Sequence, residues 1–306
     1  MDTIKKHTFS RRKKEMIFYV LMLIYPIVQF LVFYVYVHLD SILLAFQRYD
    51  TTDPMHSKYV FNGLETLKLA FEDLKNVFRL KAALKNSFIA FFVSLLPITF
   101  ALFFAYYIFK KKFLSSTFRV FLYVPMIISP LVLVVLFHYF IGSAIPELFL
   151  KYFKVTIPDV FQKPYAFNTM LIYTVLIGFG SNVLMFLSTM SSIDDSVLEA
   201  ADIDGASGFQ VFYYIVFKHT YSVVVTFVIV AISQFFTNQL NLYSFYGTDA
   251  DYSLYTYGYY VFVQTSKATF NEYPYISALG LIFTCIAVPT VLVVRKLLVK
   301  FGPSED

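Results

Sequence analysis

From Met16 to Leu39 the chain reads MIFYVLMLIYPIVQFLVFYVYVHL, 24 residues without one Asp, Glu, Lys or Arg. An uncharged apolar helix of about 20 residues matches a hydrocarbon core of ~30 Å. Five further windows are equally bare of charge: 87–109, 120–142, 166–190, 220–247 and 276–294. Lipid leaves a backbone few options, because every N–H and C=O must be satisfied within the segment. The expectation is therefore an all-α polytopic membrane protein with six transmembrane helices, forming one domain over 1–306. Only 15% of residues are charged, against roughly a quarter in soluble domains. The first run is too long for a signal peptide and lacks a small-residue cleavage pattern, so it reads as a retained span.

Basic residues set the orientation. Lys5, Lys6, Arg11, Arg12, Lys13 and Lys14 precede the first span; Lys110, Lys111, Lys112 and Arg119 follow the second; Arg295, Lys296 and Lys300 follow the sixth. These clusters alternate as required for both termini in the cytoplasm. The loop after the first span also carries seven bases, but it is long and holds acids as well, a setting where the rule weakens. Within it Leu64, Leu67, Phe71, Leu74 and Phe78 recur at helical spacing, which predicts an amphipathic helix on the outer face. The loop 143–165, with three prolines, reads as irregular with short helical pieces. The tyrosine-rich loop 248–275 reads as interfacial or outward-facing.

Several chemistries are missing. There is no G-x-x-x-x-G-K-[ST] phosphate loop, no H-E-x-x-H pair and no G-x-S-x-G elbow. The lone Cys285 excludes an intrachain disulfide and any multi-cysteine metal site. A net charge of +5 suits anionic headgroups and, with no soluble basic domain, argues against nucleic acid. The chain reads as neither an enzyme nor a metalloprotein.

The run LEAADIDGASGFQVF, residues 198–212, breaks the pattern. The segment 191–219 carries five acids (Asp194, Asp195, Glu199, Asp202 and Asp204) between two apolar spans. Asp194 or Asp195 can cap a short helix, the alanines propagate it, and Gly205 can break it. The expected form is helix, turn, helix between spans four and five. Ala200, Ala201 and Ala206 allow close approach of a partner backbone, while Glu199 and Asp204 offer anionic contacts. An ordinary solvated acidic loop has the same composition.

Polar groups within the apolar runs mark a candidate path. Ser181 and Asn182 lie in span four; Gln234, Asn238, Gln239 and Asn241 lie in span five, followed by Tyr243. Amides beside aromatic rings suit a sugar, which presents hydroxyls and apolar C–H faces. The same amides could equally bridge helices, and both readings stand on the sequence.

EAADIDGAS resembles the EAA loop of membrane-spanning subunits of ABC importers, E-A-A-x-x-x-G with I-x-L-P downstream. Its D-G-A-S form is similar to the carbohydrate-importer branch. GLETLKLAFEDLK, the run from KNSFIAFF to LFHYF, and YPYISALGLIFTCIAVP resemble the maltose-type first permease, so the likeness covers nearly the whole chain. The resemblance implies that Glu199, Ala200, Ala201, Asp204, Gly205, Ala206 and Ile215 couple to a cytoplasmic ATPase. It also implies a second homologous permease, two ATPase subunits that hold ATP and Mg, an extracytoplasmic solute-binding protein, and a cell-membrane location within lipid. No cofactor is expected on this chain. The family's L-P after I-x is replaced here by Phe217 and Lys218. A permease for a polyamine, peptide or anion would share the docking helix, and a membrane scaffold would need neither the helix nor polar spans.

Overall fold

The computed structural model describes residues 11–52 and 58–303. Lys5 and Lys6, which bear on the orientation, lie outside the described residues. Six described helices are long and apolar enough to cross a membrane: α1 (Arg12–Leu44), α3 (Phe78–Phe109), α5 (Pro130–Phe153), α6 (Ala166–Met190), α8 (Gly208–Ser233) and α11 (Tyr273–Phe301). Between them lie β1 (Gln47–Asp50), β2 (Lys58–Phe61), α2 (Glu65–Asn76), α4 (Ser115–Ile127), α7 (Asp195–Ile203), α9 (Leu242–Tyr246) and α10 (Tyr257–Lys267). The chain divides into two compact units, Met1–Phe71 with Ala268–Leu281 and Glu72–Lys267 with Ile282–Asp306.

In the first unit, β1 and β2 form an antiparallel ribbon that pairs Arg48 with Val60 and Tyr49 with Tyr59. The Tyr49 and Tyr59 rings meet edge-on at 5.1 Å, and Tyr59 donates its hydroxyl to the Phe270 carbonyl at 3.0 Å. Thr66 donates to the Gln47 carbonyl at 3.0 Å, which ties the start of α2 to the ribbon. The amphipathic helix expected here exists, but it buries Thr66 and Ala70 and leaves Phe71 exposed, as is Leu64 just before its start. The large side chains of α1 are exposed along its length, as an apolar helix facing lipid requires.

The second unit is built on the packing of α3 against α6. Ala101 and Ala105 of α3 are fully buried beside Val183, Phe186 and Met190 of α6. Small residues let two apolar helices approach closely where lipid supplies no hydrophobic drive for association. A Cβ on Gly178 of α6 would sit 3.7 Å from Pro97 of α3, ordinary contact, so the two helices run within van der Waals reach of each other here.

Three sequence expectations are corrected by the fold. The run 120–142 is not one span: the helix stops at Ile127 and restarts at Pro130. Proline disfavours helical geometry in the residue before it, and Ser129 is accordingly extended at ψ 137°. The span then continues to Phe153, through a wide turn at Phe140–Ala144 just before Pro146, so the first half of loop 143–165 is helical. The run 220–247 is helical only to Ser233. Residues 234–241 leave the helix, with Leu240 and Asn241 at positive φ and the Asn238 side chain accepting from Leu240 N at 2.8 Å. An amide that bonds its own backbone offers the chain an alternative to the helical ladder. Finally, the tyrosines of 248–275 do not all face outward: Tyr255, Tyr257, Tyr259 and Tyr260 are buried, and only Tyr252 of that set is exposed.

Candidate functional site: a docking loop and a polar cavity

The acidic loop folds as its local signals dictate. Asp194 caps α7 by accepting from Ser196 N at 2.8 Å, and bonds from Ser196 hold its carboxyl below the usual range. At the other end Gly205 takes φ +70°, a conformation that costs glycine no steric penalty. Gly205 N donates to the Asp202 carbonyl at 3.1 Å and Ala206 N to the Ala201 carbonyl at 2.9 Å, the paired bonds of a Schellman stop. Ser207 and Gln210 then form a capping box that opens α8.

Coupling candidates divide by exposure. Glu199, Ala200, Asp204 and Gly205 are exposed, as is Ile203, an apolar side chain 86% open to its surroundings. Ala201 is buried, and Ala206 and Ile215 are half-buried. The buried side of the loop enters the α3–α6 core, where Ala201, Val211, Phe212 and Val216 meet Ala105, Ile108 and Met190. Tyr106 of α3 adds a polar tie, donating its hydroxyl to the Gly208 carbonyl at 2.7 Å. A force applied to α7 therefore reaches α3 and α6 through close-packed side chains.

The path candidates also divide. Asn182, Gln234 and Asn238 converge on one cavity of about 150 Å³, together with Ser87 and Ser94 of α3. Phe91, Phe227 and Phe235 supply its apolar walls, and among the described residues no charged side chain lines it. Sequence reasoning missed Ser87 and Ser94. Their signal was present: 87, 91, 94 and 98 follow helical spacing on one face of span two.

Ser181, Gln239, Asn241 and Tyr243 do not line that cavity. Ser181 donates back to the Gly178 carbonyl at 3.1 Å. Asn241 begins α9 at φ 56°, and half-exposed Tyr243 lays its ring against Phe262 at 4.9 Å. The carbonyl of Gln239, itself half-buried, accepts from Leu242 N at 2.9 Å. Gln234, Asn238, Gln239 and Asn241 were expected within a helical span; all four follow its last residue.

The non-helical segment is held by the tyrosine-rich stretch. Thr256 donates to the Asn238 carbonyl at 2.7 Å, and Tyr257 N donates to the Ser87 hydroxyl at 2.8 Å. Asn86 donates to the carbonyls of Ser253 and Tyr255 at 2.8 and 2.9 Å. Gly258 makes this closeness possible, since a Cβ there would lie 2.5 Å from the Thr237 carbonyl carbon.

Six apolar helices, an exposed capped loop between the fourth and fifth, and an uncharged polar cavity define a multi-pass membrane transport component. The chain belongs to the family described as binding-protein-dependent transport system inner membrane component, which matches residues 97–303 and so includes α7 and the start of α8. No curated protein matches it in sequence. Among solved structures, it is similar to a bacterial ABC transporter involved in the import of the acidic polysaccharide alginate. That match has a TM-score of 0.68 at 18% identity, covering 95% of this chain and 97% of the other. A bacterial alginate ABC transporter in complex with alginate pentasaccharide-bound periplasmic protein matches with TM-score 0.66 at 16% identity, covering 92% and 93%. At these identities the likeness is one of fold.

Proposed function

We propose that this chain is the permease subunit of an ATP-driven importer that translocates a sugar or oligosaccharide delivered by an external binding protein. One observation carries the reading. The loop α7 turns Glu199, Ala200, Asp204 and Gly205 outward while Ala201 sits in the core formed by α3 and α6. Those two helices also supply Ser87, Ser94 and Asn182 to the cavity. A partner that grips the loop thus moves helices that line the candidate path.

In this mechanism two cytoplasmic ATPase subunits bind ATP and Mg and do the hydrolysis. This chain and a second, homologous permease form the path, with both termini of this chain on the ATPase side and its whole length acting as one membrane domain. Closure of the ATPases displaces α7, and α3, α6 and α8 reorient about the cavity. Gln234, Asn238 and Asn182 supply amide donors and acceptors for hydroxyls, and the phenylalanines supply faces for C–H surfaces. The structural relatives import a polysaccharide, which supports the carbohydrate class. With no acid or base among the described residues that line the cavity, a polyamine or an inorganic anion lacks a counter-charge there.

The test is uptake into proteoliposomes containing the full importer, with Asn182, Gln234 and Asn238 all changed to Ala. The expected result is loss of sugar uptake with ATPase activity retained. Unchanged rate and unchanged substrate range would place the path elsewhere. Replacing Glu199 by Lys should instead uncouple hydrolysis from transport, and normal uptake by that variant would remove the docking assignment.

A further inference from the structure

A second cavity, of about 720 Å³, lies between the end of α6, the start of α7 and one face of α8. Its polar lining is Thr189, Ser192, Asp194, Lys218, His219 and Ser222, and Val197 and Tyr214 add apolar surface. The volume is the share of about two dozen liquid waters, enough for a headgroup. His219 Nε2 lies 3.0 Å from the Ser192 hydroxyl, which fixes its ring toward α6.

Charge places this groove at a membrane boundary. No Asp, Glu, Lys or Arg occurs between Lys163 and Asp194, nor between Lys218 and Asp249. Asp194 and Lys218 therefore stand at the ends of two charge-free runs, each long enough to span the hydrocarbon. Side chains at such ends sit at headgroup level. The two also differ in sign. A groove with only bases would select an anion; this one presents a lysine side chain and a carboxylate that accepts from Ser196 and has lone pairs left for a further donor.

We propose that this groove binds the headgroup of a phosphoethanolamine lipid, with the phosphate on Lys218 and the ammonium on Asp194. The apolar lining takes the glycerol end. Such a lipid would bridge α6, α7 and α8 and stiffen the base of the docking loop. The inference does not rest on sugar as the substrate, and its test measures no transport.

The full-length protein is taken from vesicles containing equal amounts of phosphatidylethanolamine, phosphatidylcholine and phosphatidylglycerol with matched acyl chains. Lipids retained after transfer to detergent are then read by native mass spectrometry. The wild type should retain the ethanolamine lipid over both others by roughly tenfold or more, as a charge-assisted hydrogen bond allows. Lys218→Gln should reduce all three to background. Asp194→Asn, which still caps a helix, should hold ethanolamine and choline lipids equally, and Asp194→Ser tests the same point should that variant unfold. Equal retention of choline and ethanolamine lipids by the wild type would overturn the proposal, and so would preference for the glycerol lipid. Release of the ethanolamine lipid by millimolar inorganic phosphate, or no change in Lys218→Gln, would overturn it too.

Discussion

The two ends of α8 leave the helix in opposite ways. At its start, the chain stops and restarts through caps that lie within a few residues of one another: Asp194 on Ser196, Gly205 on Asp202, and Ser207 with Gln210. These bonds satisfy the backbone locally, and the side chains of Glu199, Ile203 and Asp204 are left exposed. At its end, residues 234–241 depend on groups far along the chain: Thr256, Tyr257 and Gly258, with Ser87 behind them. There the polar groups are consumed internally or turned to the cavity. A locally capped loop can be moved as a unit by a partner; a remotely clamped one holds its shape only while the clamp holds. The first suits docking and the second suits a wall of the path.

This contrast is broken most forcefully at Gly258. Gly258→Ala places a Cβ 2.5 Å from one backbone carbon and 2.6 Å from the Thr237 carbonyl oxygen. Backbone atoms cannot yield as a flexible side chain does, so the cost should sit at the upper end of overpacking, about 3 kcal/mol. Thermal unfolding of the purified protein in detergent should shift down, and transport should fall with it. A variant with wild-type stability would show that α10 can move off the segment without penalty. Thr256→Val should follow with a smaller loss, about 1 kcal/mol, as the half-buried Asn238 carbonyl loses its donor. Thr256 is fully buried, and its hydroxyl also accepts from Tyr259 N at 3.3 Å. Here too stability and uptake should decline together.

Gly205 should behave differently. Nothing lies within 4 Å of the position a Cβ would take, so Gly205→Ala meets no clash and bears only the strain of φ +70°, about 1 kcal/mol. Gly205→Pro cannot adopt that φ at all and also loses the N–H that donates to Asp202. The prediction is near-normal stability and modest loss of uptake for Ala; for Pro the stop of α7 opens locally, and uptake is abolished with membrane insertion retained. If Pro at this position destabilised the whole protein as much as Gly258→Ala, the loop would be part of the core scaffold and the contrast would fail.

The same contrast explains what could be read from sequence. Asp194, Gly205 and the Ser207–Gln210 pair act over two to five residues, so helix, turn and helix were legible from the residues alone. Charge-free runs gave the number of long apolar helices for an equally local reason, since lipid demands satisfaction within each segment. The end of the fifth helix was not legible. The run 220–247 is as free of charge as the others, and its break relies on Gly258 and Thr256, some twenty residues downstream. Tyrosine misled for a physical reason: a ring with a hydroxyl suits a membrane interface and a buried hydrogen bond equally. Tyr259 takes the second option, donating to the Gly247 carbonyl at 2.7 Å while fully buried. The cavity was half legible, because amides stood out in an apolar run and two serines on a neighbouring helix did not.

The smallest expected effect comes from Lys163 and Asp251, whose charged atoms lie 2.7 Å apart near the clamp. The Lys163 ammonium, with help from Ser253, lowers the Asp251 carboxyl from the ordinary 3.8 to about 2. Its folded-state value lies below its unfolded one, so the bridge contributes stability above pH 4, and that contribution fades as pH falls from about 4 toward 2. Both side chains are half or more exposed, so solvent screening keeps the contribution under about 1 kcal/mol. Lys163→Gln should therefore lower thermal stability slightly at pH 7, and salt should shrink even that difference. Between pH 4 and 2 the variant and wild type should converge. A gap that persists at pH 2 would mean that Lys163 acts through packing and not through charge. A gap as large at pH 7 as that of Thr256→Val would move this surface pair into the clamp itself.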